Sequence, residues 1–178
     1  MDEFRHRCAI CGADRPQIHH IDGDPSNNNV DNLLPLCPNH HLTDQHNPTA
    51  PFDPEKLALF RHYKDPAILG TKFEPLFRRM KFLRQISDTD PVDQLSDRVD
   101  ELLGFVAHLK MGPFYRRQID SFVKKPRRHA AVWGRNSTES EKAKVERDHS
   151  YRAKLRRATD QVEALVVELL RYQGWCDD

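Results

Sequence analysis

Two short pairs of cysteine and histidine near the N-terminus have the spacing of metal half-sites. Cys8-x-x-Cys11 places two thiolates three residues apart, and Cys37-x-x-His40 repeats the spacing with an imidazole in the last position. A tight turn of this length lets two side chains bind one ion, and two such turns complete a tetrahedral site. A segment this short buries little apolar surface and needs a cross-link, such as a bound metal ion, to stay folded. We therefore predict that these four residues bind a structural zinc ion.

Three further histidines lie within or directly beside this pattern. His19 and His20 are adjacent in the segment between the half-sites, and His41 follows the last predicted ligand. Neighbouring residues of a strand point to opposite faces, so His19 and His20 are expected to have different roles. His41 is about 100° around a helix from His40, which lets it face a different centre.

The elements that must position these histidines are predicted from the pattern around them. Alternating residues at 18–21 predict a short strand, and the Gly-, Pro- and Asn-rich run after it predicts a loop. Residues 30–36 predict a returning strand, and a helix is expected to begin at His41. The predicted order is strand, loop, strand, helix.

In these residues the chain resembles the HNH endonucleases, also called His-Me finger or ββα-metal nucleases. The resemblance covers about residues 6–46 and implies an α+β fold, with a small zinc-stapled ββα-metal head. The matching elements, in order, are Cys8-x-x-Cys11, His19-His20-Ile21, Asp31-Asn32-Leu33, Leu36-Cys37 and His40-His41.

The resemblance also implies a role for each matching residue. His19 and His41 match the ligands of a catalytic divalent metal, and His20 matches the general base that activates water. Asn32 matches the asparagine that orients the base or supports the metal site. Many members of the family have another histidine four residues beyond His41, where this chain has Gln45, and His46 is one step further.

The implied reaction is metal-assisted hydrolysis of a phosphodiester. A neutral imidazole takes a proton from the attacking water, and the metal neutralises charge on the phosphoryl and departing oxygens. Mg²⁺ or Mn²⁺ is the expected catalytic ion, although imidazole ligands also accept Zn²⁺ or Ni²⁺. DNA is the expected substrate, with RNA left open.

The rest of the chain is predicted to be a mainly α-helical body. Asp53-Pro54-Glu55 has the pattern of a helix start, and Thr138-x-x-Glu141 is a capping box that opens a long C-terminal helix. Apolar residues recur at helical spacing in three segments. They are Phe73, Leu76, Phe77, Met80 and Leu83; Leu95, Val99, Leu102, Val106 and Leu109; and Leu155, Ala158, Val162, Leu165 and Leu169. The last two sets could pair with each other or form a homodimer or partner interface.

Charge is divided unevenly between these parts. Residues 1–50 form the predicted nuclease head and residues 51–178 the helical domain, separated by a Pro-bearing stretch. Residues 1–52 hold three basic and seven acidic residues, whereas the remainder holds 25 basic and 20 acidic. The most basic run lies between Arg116 and Arg135 and is interleaved with Tyr115, Phe122 and Trp133. It is the candidate for binding a phosphate backbone, through Lys124, Lys125, Arg127 and Arg128, with a solvated loop as the alternative.

The composition excludes several classes of protein. Lys and Arg total 28 and Asp and Glu total 27, so the chain is neither a basic nucleic-acid coat nor an acidic tail. Apolar runs are far shorter than the ~20 residues that span a bilayer. The N-terminus lacks the apolar core of a signal peptide, so we expect a cytoplasmic protein with no membrane partner.

Two alternatives to a self-sufficient enzyme stay open. The head could be a zinc-stabilised module that binds nucleic acid or protein on an HNH scaffold that no longer cleaves. The helical body could also dock a partner protein that delivers the nuclease to its substrate.

Overall fold

The chain combines a two-stranded sheet with many helices, as the sequence predicts. A computed structural model describes residues 2–45, 53–125 and 141–174. It divides into two compact units, the first reaching Phe73 and the second beginning at Glu74. The mixed fold class and the long C-terminal helix are confirmed.

The first unit is built around an antiparallel hairpin. Strand β1 is Gln17–His20 and strand β2 is Leu33–Leu36. In their register His19 lies opposite Leu34 and His20 opposite Leu33. The sequence predicts the returning strand from residue 30, but Val30–Asn32 forms a short 3-10 helix instead. The side chain of Asn29 caps that turn by accepting from the Asp31 N–H at 3.1 Å, which delays the extended backbone.

A π-helix and then an α-helix follow the hairpin in this unit. The predicted helix around His41 is present as a π-helix, Asn39–Gln45. Helix α1 is Pro54–Tyr63, with Asp53 as its N-cap and Pro54 in the first turn. Its Arg61 is buried and donates to the Val30 carbonyl oxygen at 3.3 Å. The sequence predicts the end of the head at residue 50, and α1 packs with the head in the first compact unit.

The second unit is helical. Helix α2 is Glu74–Met80 and continues as a 3-10 helix, Lys81–Gln85. Helix α3 is Val92–Ala107, α4 is Gly112–Val123 and α5 is Glu141–Leu170. The predicted apolar faces are mostly buried, as in Phe77, Leu102 and Val162. Thr138 of the expected capping box lies outside the described residues. No helix in the described ranges is both long and apolar enough to cross a membrane.

Helix α4 is the element that the sequence analysis did not predict. Arg116 and Arg117 dominate the local composition, which makes this part of the basic run resemble a solvated loop. The apolar residues Tyr115, Ile119 and Val123 nevertheless recur every four positions, and all three are buried. Helix α4 packs against both α3 and α5. The apolar faces of α3 and α5 are therefore covered largely by α4 within the chain.

Candidate metal centre and histidine site

The four predicted zinc ligands come together in the first unit. One donor atom from each of Cys8, Cys11, Cys37 and His40 lies within 4.8 Å of every other. Nδ1 of His40 lies 3.2 Å from Sγ of Cys37 and 3.5 Å from Sγ of Cys8. The Sγ atoms of Cys11 and Cys37 are 3.8 Å apart. Three thiols and one imidazole nitrogen are thus close enough to bind one metal ion.

The first half-site is shaped by a tight turn. The Gly12 N–H donates to the Cys8 carbonyl at 2.9 Å, and the Cys8 N–H donates to the Ala13 carbonyl at 2.8 Å. Gly12 has φ +70°, a left-handed conformation that glycine adopts without a Cβ clash. The Ala9 N–H donates to the Pro35 carbonyl at 2.8 Å, which joins this turn to β2. The cluster therefore fastens the N-terminal segment to the hairpin.

The environment of Cys8 favours its thiolate. Burial of Cys8 raises the pKa of the thiol, but hydrogen bonds from the backbone N–H groups of Cys11 and Cys37 outweigh it and bring the pKa to about 6. A thiolate is the form that binds a metal ion. The backbone N–H groups of the two turns thus stabilise the Cys8 thiolate, the form that binds a metal ion.

His19 and His41 meet beside this cluster. Their rings pack edge to face, with centroids 5.4 Å apart and an interplanar angle of 81°. His19 is only 8% exposed, whereas its neighbour Ile18 is 37% exposed. Strand β1 thus buries an imidazole and leaves an isoleucine at the surface, the reverse of the usual preference. Stability alone does not explain that choice, so the inward histidine is a candidate for function.

His20 is half-buried at the end of β1. Its Nε2 atom is buried and has no hydrogen-bond partner within the described residues. A buried nitrogen without a partner costs free energy, and native proteins seldom tolerate one without a water, ion or ligand to satisfy it. The ring is therefore suited to receive a group from outside the chain.

Asn32 holds the loop that follows His20. Its Oδ1 accepts from the Asp22 N–H at 2.9 Å, and its Nδ2 donates to the Asp22 carboxylate and to the Asn27 carbonyl, both at 2.9 Å. The Ile21 N–H also donates to the Asn32 carbonyl at 2.9 Å. Asn32 thus closes the loop directly after His20, and both the oxygen and the nitrogen of its side-chain amide form hydrogen bonds within that loop.

Asp22 is the residue of this loop that the sequence analysis missed. The N–H of Asp24 and the side-chain amides of Asn27 and Asn32 donate to its carboxylate, and they hold the pKa of Asp22 below its usual value. The density of Asp and Asn between the strands was the available signal. It predicted a loop but not which carboxylate would organise it.

Two of the four predicted nucleic-acid contacts, Lys124 and Lys125, are described, and each has an acidic partner within the second unit. Lys124 pairs with Asp120 at 3.3 Å, and Lys125 pairs with Asp93 at 2.8 Å. Arg127 and Arg128 lie outside the described residues, as does His46. Tyr115, one of the aromatic residues interleaved with the basic run, is buried.

Comparison of the chain with models of protein families, with curated proteins and with solved structures finds no match.

Proposed function

We propose that this protein is a metal-dependent endonuclease of the HNH type that hydrolyses phosphodiester bonds in DNA. The contact between the rings of His19 and His41 carries the proposal. It brings together the two side chains that the resemblance assigns to a catalytic metal, next to a cluster able to hold a structural ion.

Zinc is the ion proposed for the cysteine cluster. Three thiolates and one imidazole are the donor set of a closed structural zinc site, and the four donors leave no position for substrate. The cluster fastens the N-terminal turn to β2 and begins the π-helix that carries His41. Zinc here would fix the position of His41 relative to His19, and so act on catalysis only through structure.

A second, catalytic ion is proposed beside the contact of the His19 and His41 rings. His19 and His41 would hold it, and two protein ligands leave coordination positions for water and phosphate. When bound, a divalent ion such as Mg²⁺ or Mn²⁺ would supply charge neutralisation for the phosphoryl oxygens. Its site is distinct from the cysteine cluster because different side chains form it.

His20 is proposed as the general base. It directly follows His19 at the end of β1, next to the loop that Asn32 closes. Its Nε2, which has no hydrogen-bond partner among the described residues, would accept a proton from a water molecule admitted with the substrate. Asn32 would keep this ring in place by fixing the loop that starts at the next residues.

Supercoiled-plasmid nicking tests the proposal. The full-length protein is incubated with plasmid in Mg²⁺, in Mn²⁺ or without added divalent ion, and His20→Ala is prepared in parallel. We expect metal-dependent nicking by the wild type and a fall of ~10²–10⁴ in the variant, the usual contribution of a general base. His62→Ala is the matched control, since His62 is a histidine on α1 of the same unit, outside the proposed site.

Contaminating nuclease would cleave equally in all three preparations. Equal cleavage by wild type and His20→Ala, or no cleavage of DNA or RNA with any divalent ion, would reject the proposal. The zinc-stabilised binding module would then be the better description of the head. Cleavage that appears only when a partner protein is added would support the delivered-nuclease alternative.

A further inference from the structure

The second unit carries a groove whose walls are strongly basic. It lies between the α2 region and α3, has a volume of about 470 Å³, and is lined by Arg78, Arg79, Lys81 and Arg98 together with Phe82, Gln85 and Glu101. We call the groove formed around these four basic residues the cation groove. Leu76, Phe77 and Met80 of the same helix are buried, so α2 presents its apolar face to the core and its charges to the groove.

Aromatic rings hold three of these cations in position. The guanidinium carbon of Arg79 is 4.5 Å from the centroid of Phe105, and that of Arg98 is 5.8 Å from Phe82. The Lys81 ammonium is 5.8 Å from the Phe77 centroid. A ring attracts a cation without cancelling its formal charge. Charges held in this way still attract an anion that enters the groove.

The lining of the groove has more cations than carboxylates. Four basic side chains line it together with one acid, Glu101, so the lining has a formal excess of positive charge. Arg79 pairs with Glu101 at 3.2 Å, and Arg78 pairs with Glu74 at 2.8 Å. Both acids are exposed, Glu74 at 37% and Glu101 at 60%, so water weakens these pairs. A polyanion that enters the groove can therefore compete for the arginines.

We propose that the cation groove binds the phosphate backbone of a nucleic acid. Planar guanidinium groups match phosphate oxygens with paired hydrogen bonds, and three of the four cations are arginines. Several cations along one groove match a chain of phosphates better than they match a single small anion. That the ligand is a nucleic acid rests on the proposed function. The proposal for the groove concerns binding of that ligand and not its cleavage.

Binding measured without catalysis tests this inference separately from the nuclease proposal. Fluorescence anisotropy without added divalent ion, which leaves the structural zinc in place, follows a labelled duplex DNA, a single strand and a duplex RNA at several salt concentrations. The full-length protein is compared with Lys81→Gln/Arg98→Gln, which keeps long polar side chains while removing two charges. Lys142→Gln/Lys144→Gln is the control, because it removes two exposed charges from α5 outside the groove. Circular dichroism and thermal unfolding check that both variants stay folded.

We expect weaker binding by the groove variant and a salt-dependence slope shallower by up to ~0.9 for each phosphate that the variant no longer neutralises. The control should bind as the wild type does. An unchanged slope in the groove variant, an equally weakened control, or no binding of any nucleic acid by the wild type would overturn the inference. If the groove variant unfolds, Arg78→Gln, whose side chain is 73% exposed, replaces it with the same expected direction. Binding without cleavage would reject only the nuclease proposal.

Discussion

The ring of His41 packs edge to face against the ring of His19, with their centroids 5.4 Å apart. This contact joins the π-helix to strand β1, two elements separated in sequence by the whole loop and β2. His40, the residue before His41, has its Nδ1 3.2 Å from the Cys37 thiol. One short helix therefore faces the cysteine cluster through one histidine and β1 through the next. Disturbing the cluster should consequently displace His41.

Replacing Cys37 by Ser should remove the structural ion. We expect the wild type to retain one zinc per chain after purification and Cys37→Ser to retain much less. In zinc-finger peptides metal binding supplies ~10–16 kcal/mol of folding free energy, so the first unit should lose its structure. Elemental analysis measures the zinc, and hydrogen exchange of residues 2–45 reports the unfolding.

Cys176→Ser is the matched control for this experiment, because Cys176 is the one cysteine of the sequence outside the cluster. It should keep the zinc content and exchange of the wild type. Soluble, protected wild-type protein that contains no zinc would contradict the assignment of the cluster.

Replacing His41 by Ala should weaken the catalytic ion without emptying the cysteine cluster. Nicking at limiting Mn²⁺ should fall by at least about 10- to 100-fold, the decrease caused even by changing outer partners of metal ligands. Excess Mn²⁺ should restore part of the activity, because the defect is in affinity. His20→Ala should not respond in this way, since a missing base is not replaced by more metal. Rates measured across a Mn²⁺ titration distinguish the two variants, and identical titrations would argue against separate roles.

The sequence predicted the order of elements in the head because short-range patterns determine them. Half-site spacing, strand alternation and the Asn-rich loop are all local signals, and the cluster and hairpin follow from them. The inward position of His19 was not predictable, because hydrophobicity favours burying Ile18 instead. Which of these two adjacent strand residues faces inward is decided by their pairing with Pro35 and Leu34 and by the contact of His19 with His41.

In the second unit the apolar faces were predictable, but their partners were not. Helical spacing showed that Val99 and Val162 would be buried, yet tertiary packing decided that α4 would lie against both of their helices. The cation groove was also hidden, since Arg98 is distant in sequence from Arg78 and Arg79. Only the packing of α3 against α2 brings these charges to one groove.

Acid should weaken the attachment of the N-terminal segment through Glu3. Hydrogen bonds from Arg61, and then from Lys64, lower the pKa of Glu3 from 4.5 to about 2. Because the folded pKa is the lower one, the stabilisation is complete above pH 4.5 and disappears as the pH falls towards about 2. The carboxylate is 39% exposed, so the effect should not exceed about 1 kcal/mol.

Urea unfolding of wild type and Glu3→Gln across this pH range measures the effect. Metal release in acid affects both proteins, so the difference between them isolates Glu3. The two should differ above pH 4.5 and converge near pH 2. Asp31→Asn, which alters another exposed acid of the same unit, controls for a general charge effect. A difference that stays constant with pH would contradict the assigned ion pair.

Asn32→Ala should loosen the hairpin loop and thereby reduce activity indirectly. The change removes the acceptor of the Asp22 N–H and two donated bonds. The loop is largely exposed, so water can replace these bonds and each one lost costs about 0.5–1.5 kcal/mol, which corresponds to roughly 2- to 13-fold faster local hydrogen exchange. Hydrogen exchange of residues 17–36 measures this loosening. Asn28→Ala is the control, because the Asn28 amide donates a single long bond, of 3.4 Å, to the Ser26 carbonyl.

His20→Ala should leave exchange unchanged while lowering nicking more than Asn32→Ala does. Slow exchange combined with abolished activity in Asn32→Ala would instead indicate that the amide acts directly on the reaction.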